Sequence, residues 1–408
     1  SVDEKKLDIA GALSSIVQED GDRGRLTTWR HTVEMVQDHP LFGVGLGNWA
    51  VHYPQYDGGD RITFGAAPER PHNDLLSVLS ETGLVGLICY LWFLLVLFKT
   101  AQSHLKTSDP LVRWIASACL IGLTAIFVHS LFSFPRERIT PTLFFWLSAG
   151  LLARFEPAKE VRCIKWIPLG LLLLSFLQLG LTFQLIRFES HMKRAVHAEA
   201  QNNWNQVVAQ TRRALDAGAF HPEAIHLQGY ALNALSRFTE SRSHYELAHR
   251  RRPYDIQILN GLAIAAQNLG DFPVAATYYQ KAIQLIPHLP AVRYNLAGLY
   301  LQMGQPKQAA AQYQTVLVQE SPTLDLYYRL GVAYFLSGQV ASSGDTYQKA
   351  LRDFPNSGTS HFEHIEQLFR LHRQKNLVRH AYQTFIANWQ GSPLDTEVAR
   401  KRLTQIAP

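Results

Sequence analysis

The sequence predicts an all-α protein in which polytopic transmembrane helices lead into an α-solenoid of helical repeats. Two observations carry this. Apolar runs almost free of charge are concentrated before residue 187, and the polar remainder repeats with a period of 34 residues. Across all 408 residues the average of 47% apolar and 18% charged residues resembles a soluble protein, but it blends two unlike halves. The expected division is a loop at 1–82 leading into the first span, about four spans over 83–187, and a repeat array over 188–408.

The membrane half contains four apolar runs: Gly83 to Phe98, Trp114 to Phe134, Pro141 to Ala153 and Trp166 to Ile186. A spanning helix needs about 20 residues. The second and fourth runs reach that length; the first does so by borrowing Leu75 to Thr82, and the third needs its flanks. Lys99, Lys106 and Arg113 follow the first run, and Arg154, Lys159, Arg162 and Lys165 follow the third, so the positive-inside rule makes both loops cytoplasmic. The segment before Gly83, the Pro135 to Thr140 turn and everything after Arg187 then face the opposite side. Arg136 and Arg138 in that outer turn oppose the rule, which marks them for a purpose other than topology.

The net charge of +6 and pI near 9.1 fit basic cytoplasmic loops, and no nucleic-acid motif accompanies them. Cys89, Cys119 and Cys163 lie in or beside apolar runs without metal-ligand spacing, which argues against a zinc site or a disulfide framework. The opening SVDEKKLD has neither an initiator Met nor the basic-then-apolar order of a signal peptide. The expectation is a fragment whose upstream part is missing.

From about His191 the repeat can be counted. Tyr245, Tyr279, Tyr313 and Tyr347 fall 34 residues apart, as do Gly270, Gly304 and Gly338, and Leu262, Leu296 and Leu330. This is the tetratricopeptide period. Pro253, Pro287, Pro322 and Pro355 close successive second helices, giving five or six helix pairs with irregular caps. The tyrosines read as packing residues, because stacked pairs need large side chains at fixed offsets. Arg250, Arg251 and Arg252 read as complements to the negative end of a helix.

The segment from Arg25 to Glu81 carries the chemistry. Leu26 to Val36 has helical spacing, Asp38-His39-Pro40 ends it, and Gly43, Gly45 and Gly47 permit a tight turn or close backbone approach. The G-x-G-x-G spacing is not a dinucleotide fingerprint. The order R-x-x-x-W, then DHPLFGVGLGNW, then a polar stretch with Tyr53 and Tyr56, then HNDLL and ETGLVG, resembles the O-antigen ligase and polymerase superfamily. His129 to Pro135, HSLFSFP, resembles it too, and the likeness covers about residues 23 to 155.

The resemblance implies a multi-pass glycosyltransferase of the bacterial inner membrane. Such an enzyme moves a glycan from an undecaprenyl-pyrophosphate carrier to an acceptor hydroxyl in the periplasm, without a metal or other cofactor. It implies a large periplasmic loop, here ending at His72, with arginines for the diphosphate and a His for the acceptor. Two departures stand out: family members carry many more spans upstream, and simple lipopolysaccharide ligases end soon after the last span.

The residue chemistry agrees. A sugar hydroxyl is a poor nucleophile, and an imidazole with a pKa near 6.5 is a neutral base at pH 7. That role falls to His72. Guanidinium groups match diphosphate oxygens and stay charged, so Arg25 and Arg30 are expected beside His72 as catalytic residues. Arg70, Arg136, Arg138 and Arg61 are expected to bind substrate. Asn73 and Asp74 are expected to cap the next helix and orient His72, and Glu81 to bind the outer-loop backbone or an arginine. His129 is a secondary candidate, and His39 a turn residue. For each arginine the rival role is snorkelling to lipid phosphates.

The expected partners are the lipid-linked glycan, its acceptor (lipid A core, protein or growing polysaccharide), membrane lipid and a protein on the repeat array. Nucleic acid is not among them. A non-catalytic scaffold of a polysaccharide assembly system, and a transporter, stand as rival readings.

Overall fold

A computed structural model describes residues 24–63, 66–155, 167–217, 221–355 and 358–406. The opening SVDEKKLD, Lys159, Arg162, Cys163, Lys165 and Trp166 lie outside these. The described residues are helical with no strand. They fall into two compact units, residues 1–228 with 248–255, and residues 229–247 with 256–408.

In the first unit, α1 (Arg25–Asp38) and two short helices, α2 (Trp49–His52) and α3 (Pro54–Asp57), precede α4 (Asp74–His104). Then follow α5 (Pro110–Ser130), a 3-10 turn (Pro135–Glu137) and α6 (Ile139–Arg154). Helix α4 starts at Asp74 because the Asn73 side chain accepts the Leu76 N–H, and Leu75 to Thr82 form its first turns ahead of a break at Gly83. Helix α5 begins four residues before Trp114, with Asp109 as cap and Pro110 in the first turn, and closes at Ser130 rather than Phe134.

Helices α4 and α5 are long and apolar enough to cross a membrane. Helix α6, with 16 residues, is about 24 Å long, short of a core of about 30 Å. Leu97, Ala101, Ala116, Cys119, Leu123 and Leu152 form the shared core of these three helices. Their ends are tied. At one end the Asn73 Nδ2 donates to the Leu131 carbonyl (3.0 Å), and at the other the buried His104 Nε2 lies 3.1 Å from the Leu152 carbonyl. The turn bearing Arg136 and Arg138 therefore shares an end of the bundle with His72.

Helix α7 (Ile167–Ala200) contains the third long apolar segment. The expected division between residues 187 and 188 falls inside it. Apolar residues from Leu172 to Ile186 are exposed around the helix, as suits a lipid-facing span. Its C-terminal part pairs with α8 (Trp204–Ala217), where Phe188, Ala214 and Ala224 are buried together.

Helices α9 (Pro222–Ala234) and α10 (Phe238–Arg251) continue the array, and the second unit repeats their pattern. The pairs are α11 (Ile256–Asn268) with α12 (Phe272–Leu285), α13 (Pro290–Gln302) with α14 (Pro306–Gln319), and α15 (Leu324–Leu336) with α16 (Val340–Asp353). Then come α17 (Gly358–His372), α18 (Lys375–Asn388) and a closing α19 (Pro393–Gln405). Tyr245, Tyr279, Tyr313 and Tyr347 are all buried, as packing residues should be. A Cβ at Gly261 would overlap the Tyr245 ring, and one at Gly331 the Tyr347 ring, which explains the small residues facing them.

Candidate functional site

The segment before α4 folds around one face of α1. Thr28, His31, Thr32 and Met35 recur at helical spacing and are buried. Trp49 stacks on Tyr53 with ring centroids 4.4 Å apart, and its indole N–H donates to Thr32 Oγ1 (3.1 Å). The buried Asp57 carboxylate accepts backbone N–H groups of Gly59, Arg61 and Ile62 at 3.2, 3.1 and 2.8 Å. That arrangement solvates an otherwise costly buried charge and fixes the turn that carries Arg61.

Two of the sequence motifs are halves of one device. Gly83 has φ 67 and ψ −168 within α4, a conformation reserved almost entirely for glycine. The break frees two carbonyls and two N–H groups, and the Pro40 to Gly45 loop satisfies all four. Val44 and Gly45 N–H donate to the Ser80 and Glu81 carbonyls, each at 2.9 Å. Leu84 and Val85 N–H donate to the Pro40 and Leu41 carbonyls at 2.9 and 3.3 Å. A Cβ on Gly83 would overlap the Leu41 and Phe42 backbone, and one on Gly43 the Ser80 and Glu81 backbone. Glu81 thus meets the outer loop through its carbonyl. Sequence reasoning found both glycine motifs but not their pairing, since nothing local marks a helix break that another segment repairs.

His72 lies between two anchored neighbours. The Trp29 indole N–H donates to the Pro71 carbonyl (2.6 Å), and Asn73 caps α4 while holding Leu131. Between them His72 adopts φ 55, the left-handed region, at a cost of about 1–2 kcal/mol for a residue with a Cβ. The imidazole is half-buried and its centroid is 5.1 Å from that of Phe134. Burial lowers its pKa below the usual imidazole value, and the charges of Arg25, Arg70 and Arg61 lower it further. Neutral imidazole is the favoured form.

Phe134 is the hub of the site. The guanidinium carbons of Arg70 and Arg138 lie 4.5 and 4.8 Å from its ring centroid, within cation–π range. Its place in HSLFSFP was visible in the sequence; its role was not, because a lone aromatic beside a proline reads as packing. A cleft of about 590 Å3 opens here, lined by Ala67, Pro68, Glu69, Arg70, Phe134 and Arg138 together with His72 and Glu137. Arg70 is ion-paired to Glu137.

The other expected residues are placed as follows. Arg25 and Arg61 act on His72 through their charge. Arg30 is engaged elsewhere, pairing with Asp60 (2.9 Å) with its side chain 62% exposed, beside the buried His31. Arg136 turns away from the cleft: its backbone N–H donates to the buried Asp74 carboxylate and its guanidinium to Ser77 Oγ, both at 3.3 Å. The Arg136 Nε also lies 3.8 Å from Asp74 Oδ1, an ion pair that draws the side chain to that face. His129 lies in the last turn of α5, exposed. Among the described residues no group of three or more His, Cys, Asp or Glu is placed to hold a metal ion.

Comparison with known proteins agrees with both halves. The O-antigen ligase family model matches residues 5–91, and tetratricopeptide repeat models match residues 266–323 and 325–357. The ligase match ends within α4, so Phe134 to Arg138 lie beyond it. A curated relative, the general transcriptional corepressor ssn6 of Schizosaccharomyces pombe, is 27% identical over 129 residues, 31% of this chain. The chain spans only 11% of that relative's length. Similar solved structures include MamA (16% identity, 46% of this chain and 96% of that one, TM-score 0.38). The type IV pilus biogenesis factor PilW is another (19%, 42% and 79%, 0.39). A tetratricopeptide repeat protein from Parabacteroides merdae is a third (13%, 54% and 86%, 0.42). The chain carries an O-antigen ligase domain at its N-terminus and tetratricopeptide repeats in its C-terminal part.

Proposed function

We propose that this chain transfers a glycan from an undecaprenyl-pyrophosphate carrier to an acceptor hydroxyl, at the cleft beside His72, without a metal. The single observation that carries the reading is the state of His72: anchored on both sides, strained into φ 55, and biased to the neutral form by burial and three arginines. Strain of that kind gathers at functional sites.

In the proposed reaction the acceptor hydroxyl gives its proton to a ring nitrogen of His72 as its oxygen bonds to the anomeric carbon. The bond from that carbon to the phosphate oxygen breaks, and its electron pair leaves on the diphosphate. Arg70 and Arg138, aligned on Phe134, receive that charge, and Arg25 and Arg61 add to the field. Arg30 and Arg136 hold the loop and the turn in place through Asp60 and Asp74. The cleft belongs on the periplasmic face of a bacterial inner membrane, with Lys99, Lys106 and Arg113 on the cytoplasmic side. The repeats serve to bring a protein to the site, either the acceptor or a partner in export.

Replacing His72 with Ala tests the reading. Loss of glycan transfer with normal membrane insertion supports it; unchanged transfer favours a scaffold.

A further inference from the structure

We propose that the loop from Pro40 to Gly47 is a membrane wedge, its apolar side chains seated among the lipids of the leaflet on the His72 side. Leu41, Phe42 and Leu46 are 58%, 74% and 76% exposed, an uncommon cluster in a segment otherwise packed around Trp49 and Tyr53. Scattered surface leucines need no explanation. These three do, because their depth is fixed.

The same four backbone hydrogen bonds that repair the Gly83 break set the loop against a membrane-spanning helix in a defined register. Pro40 and Leu41 lie level with Leu84 and Val85, where the apolar run begins, and Val44 and Gly45 lie level with Ser80 and Glu81. Leu84, Val85 and Ile88 of α4 are themselves 45%, 48% and 64% exposed, so the loop's apolar side chains extend the apolar band of the span. Phe42 is the deepest point, and Leu46 sits nearer the headgroups.

Pairing of part of the loop's backbone lowers the cost of that placement. Irregular backbone is excluded from the hydrocarbon region unless its polar groups are paired. Here the carbonyls of His39, Pro40, Leu41 and Gly45 each accept a backbone N–H, from Gly43, Leu84, Val85 and Asn48 respectively. The Val44 carbonyl accepts Asn48 Nδ2. That pairing is partial: among the described residues the backbone groups of Phe42 and Leu46 have no hydrogen-bond partner, so it is their side chains, not their backbone, that enter the lipid.

The test is nitroxide depth measurement on the full chain in liposomes, with Cys89, Cys119 and Cys163 replaced by Ala and single labels at F42C, L46C and Q55C. Collision with oxygen is compared with collision with a water-soluble nickel chelate. The label at position 42 is expected to favour oxygen, that at 46 to be intermediate, and that at the exposed position 55 to favour nickel. Nickel access at 42 and 46 equal to that at 55 overturns the proposal. Exclusion of both reagents at 42 overturns it too, since another protein segment then covers the loop.

Discussion

The indole N–H of Trp29 donates to the Pro71 carbonyl at 2.6 Å, one residue before His72. The first helix of the outer segment is thereby tied to the residue proposed as base. Trp29→Phe keeps the ring and removes the donor. We expect a loss of about 1 kcal/mol in stability and a drop of roughly tenfold in kcat with KM for the lipid-linked glycan little changed. Single-turnover transfer by the full chain reads both; a change confined to KM rules out positioning.

The acidic limb of the transfer rate should report His72. Its lowered pKa means the free base persists below pH 6.5, so the rate holds as pH falls through the usual imidazole range and collapses only below it. Removing a nearby cation by Arg70→Gln makes protonation easier, so the midpoint moves up towards 6.5. A midpoint unmoved by that change separates the limb from His72.

Glu137 occupies Arg70 and so competes with a phosphate for it. Glu137→Gln should leave that guanidinium free and tighten diphosphate binding several-fold. Competition by inorganic pyrophosphate against labelled carrier measures the shift; weaker binding shows that Glu137 positions Arg70 instead.

Gly83→Ala meets both a backbone conformation foreign to alanine and the Leu41 and Phe42 backbone. A cost of at least about 1–3 kcal/mol is expected. Hydrogen exchange at the Val44 and Gly45 amides should accelerate, while α5 stays protected. Unaltered exchange there shows that the loop does not depend on the break.

In the repeats, the Tyr279 hydroxyl donates to Gln267 Oε1 (3.0 Å), whereas the buried Tyr382 hydroxyl has no hydrogen-bond partner among the described residues. Tyr279→Phe should destabilise by about 1 kcal/mol. Tyr382→Phe should be neutral or slightly stabilising, because it removes an unsatisfied buried group. Thermal unfolding of the two variants side by side checks the sign.

Period made most of the architecture legible. The 34-residue recurrence picked out Gly270, Gly304 and Gly338, which the structure places at turns with φ 82, 69 and 86, and the apolar runs located the bundle. Helix bounds differ from the apolar runs by a few residues where a cap decides the start, as Asp109 and Pro110 do for α5. Within the site, the motif order pointed to His72, but pairing between distant segments leaves no local trace. Arg30 and Arg136 look like Arg70 in a sequence; their contacts with Asp60 and Asp74, against Arg70's place over Phe134, distinguish them.

Helix α7 runs unbroken from Ile167 to Ala200, with Phe188 already packed against the first repeat. A shaft of this kind has no swivel. Each residue inserted above Phe188 would turn the first repeat by about 100° around the shaft's own axis, so helical phase, more than length, decides which way that repeat faces. A lipid-driven twist of the last span becomes a twist of the repeat seated on it.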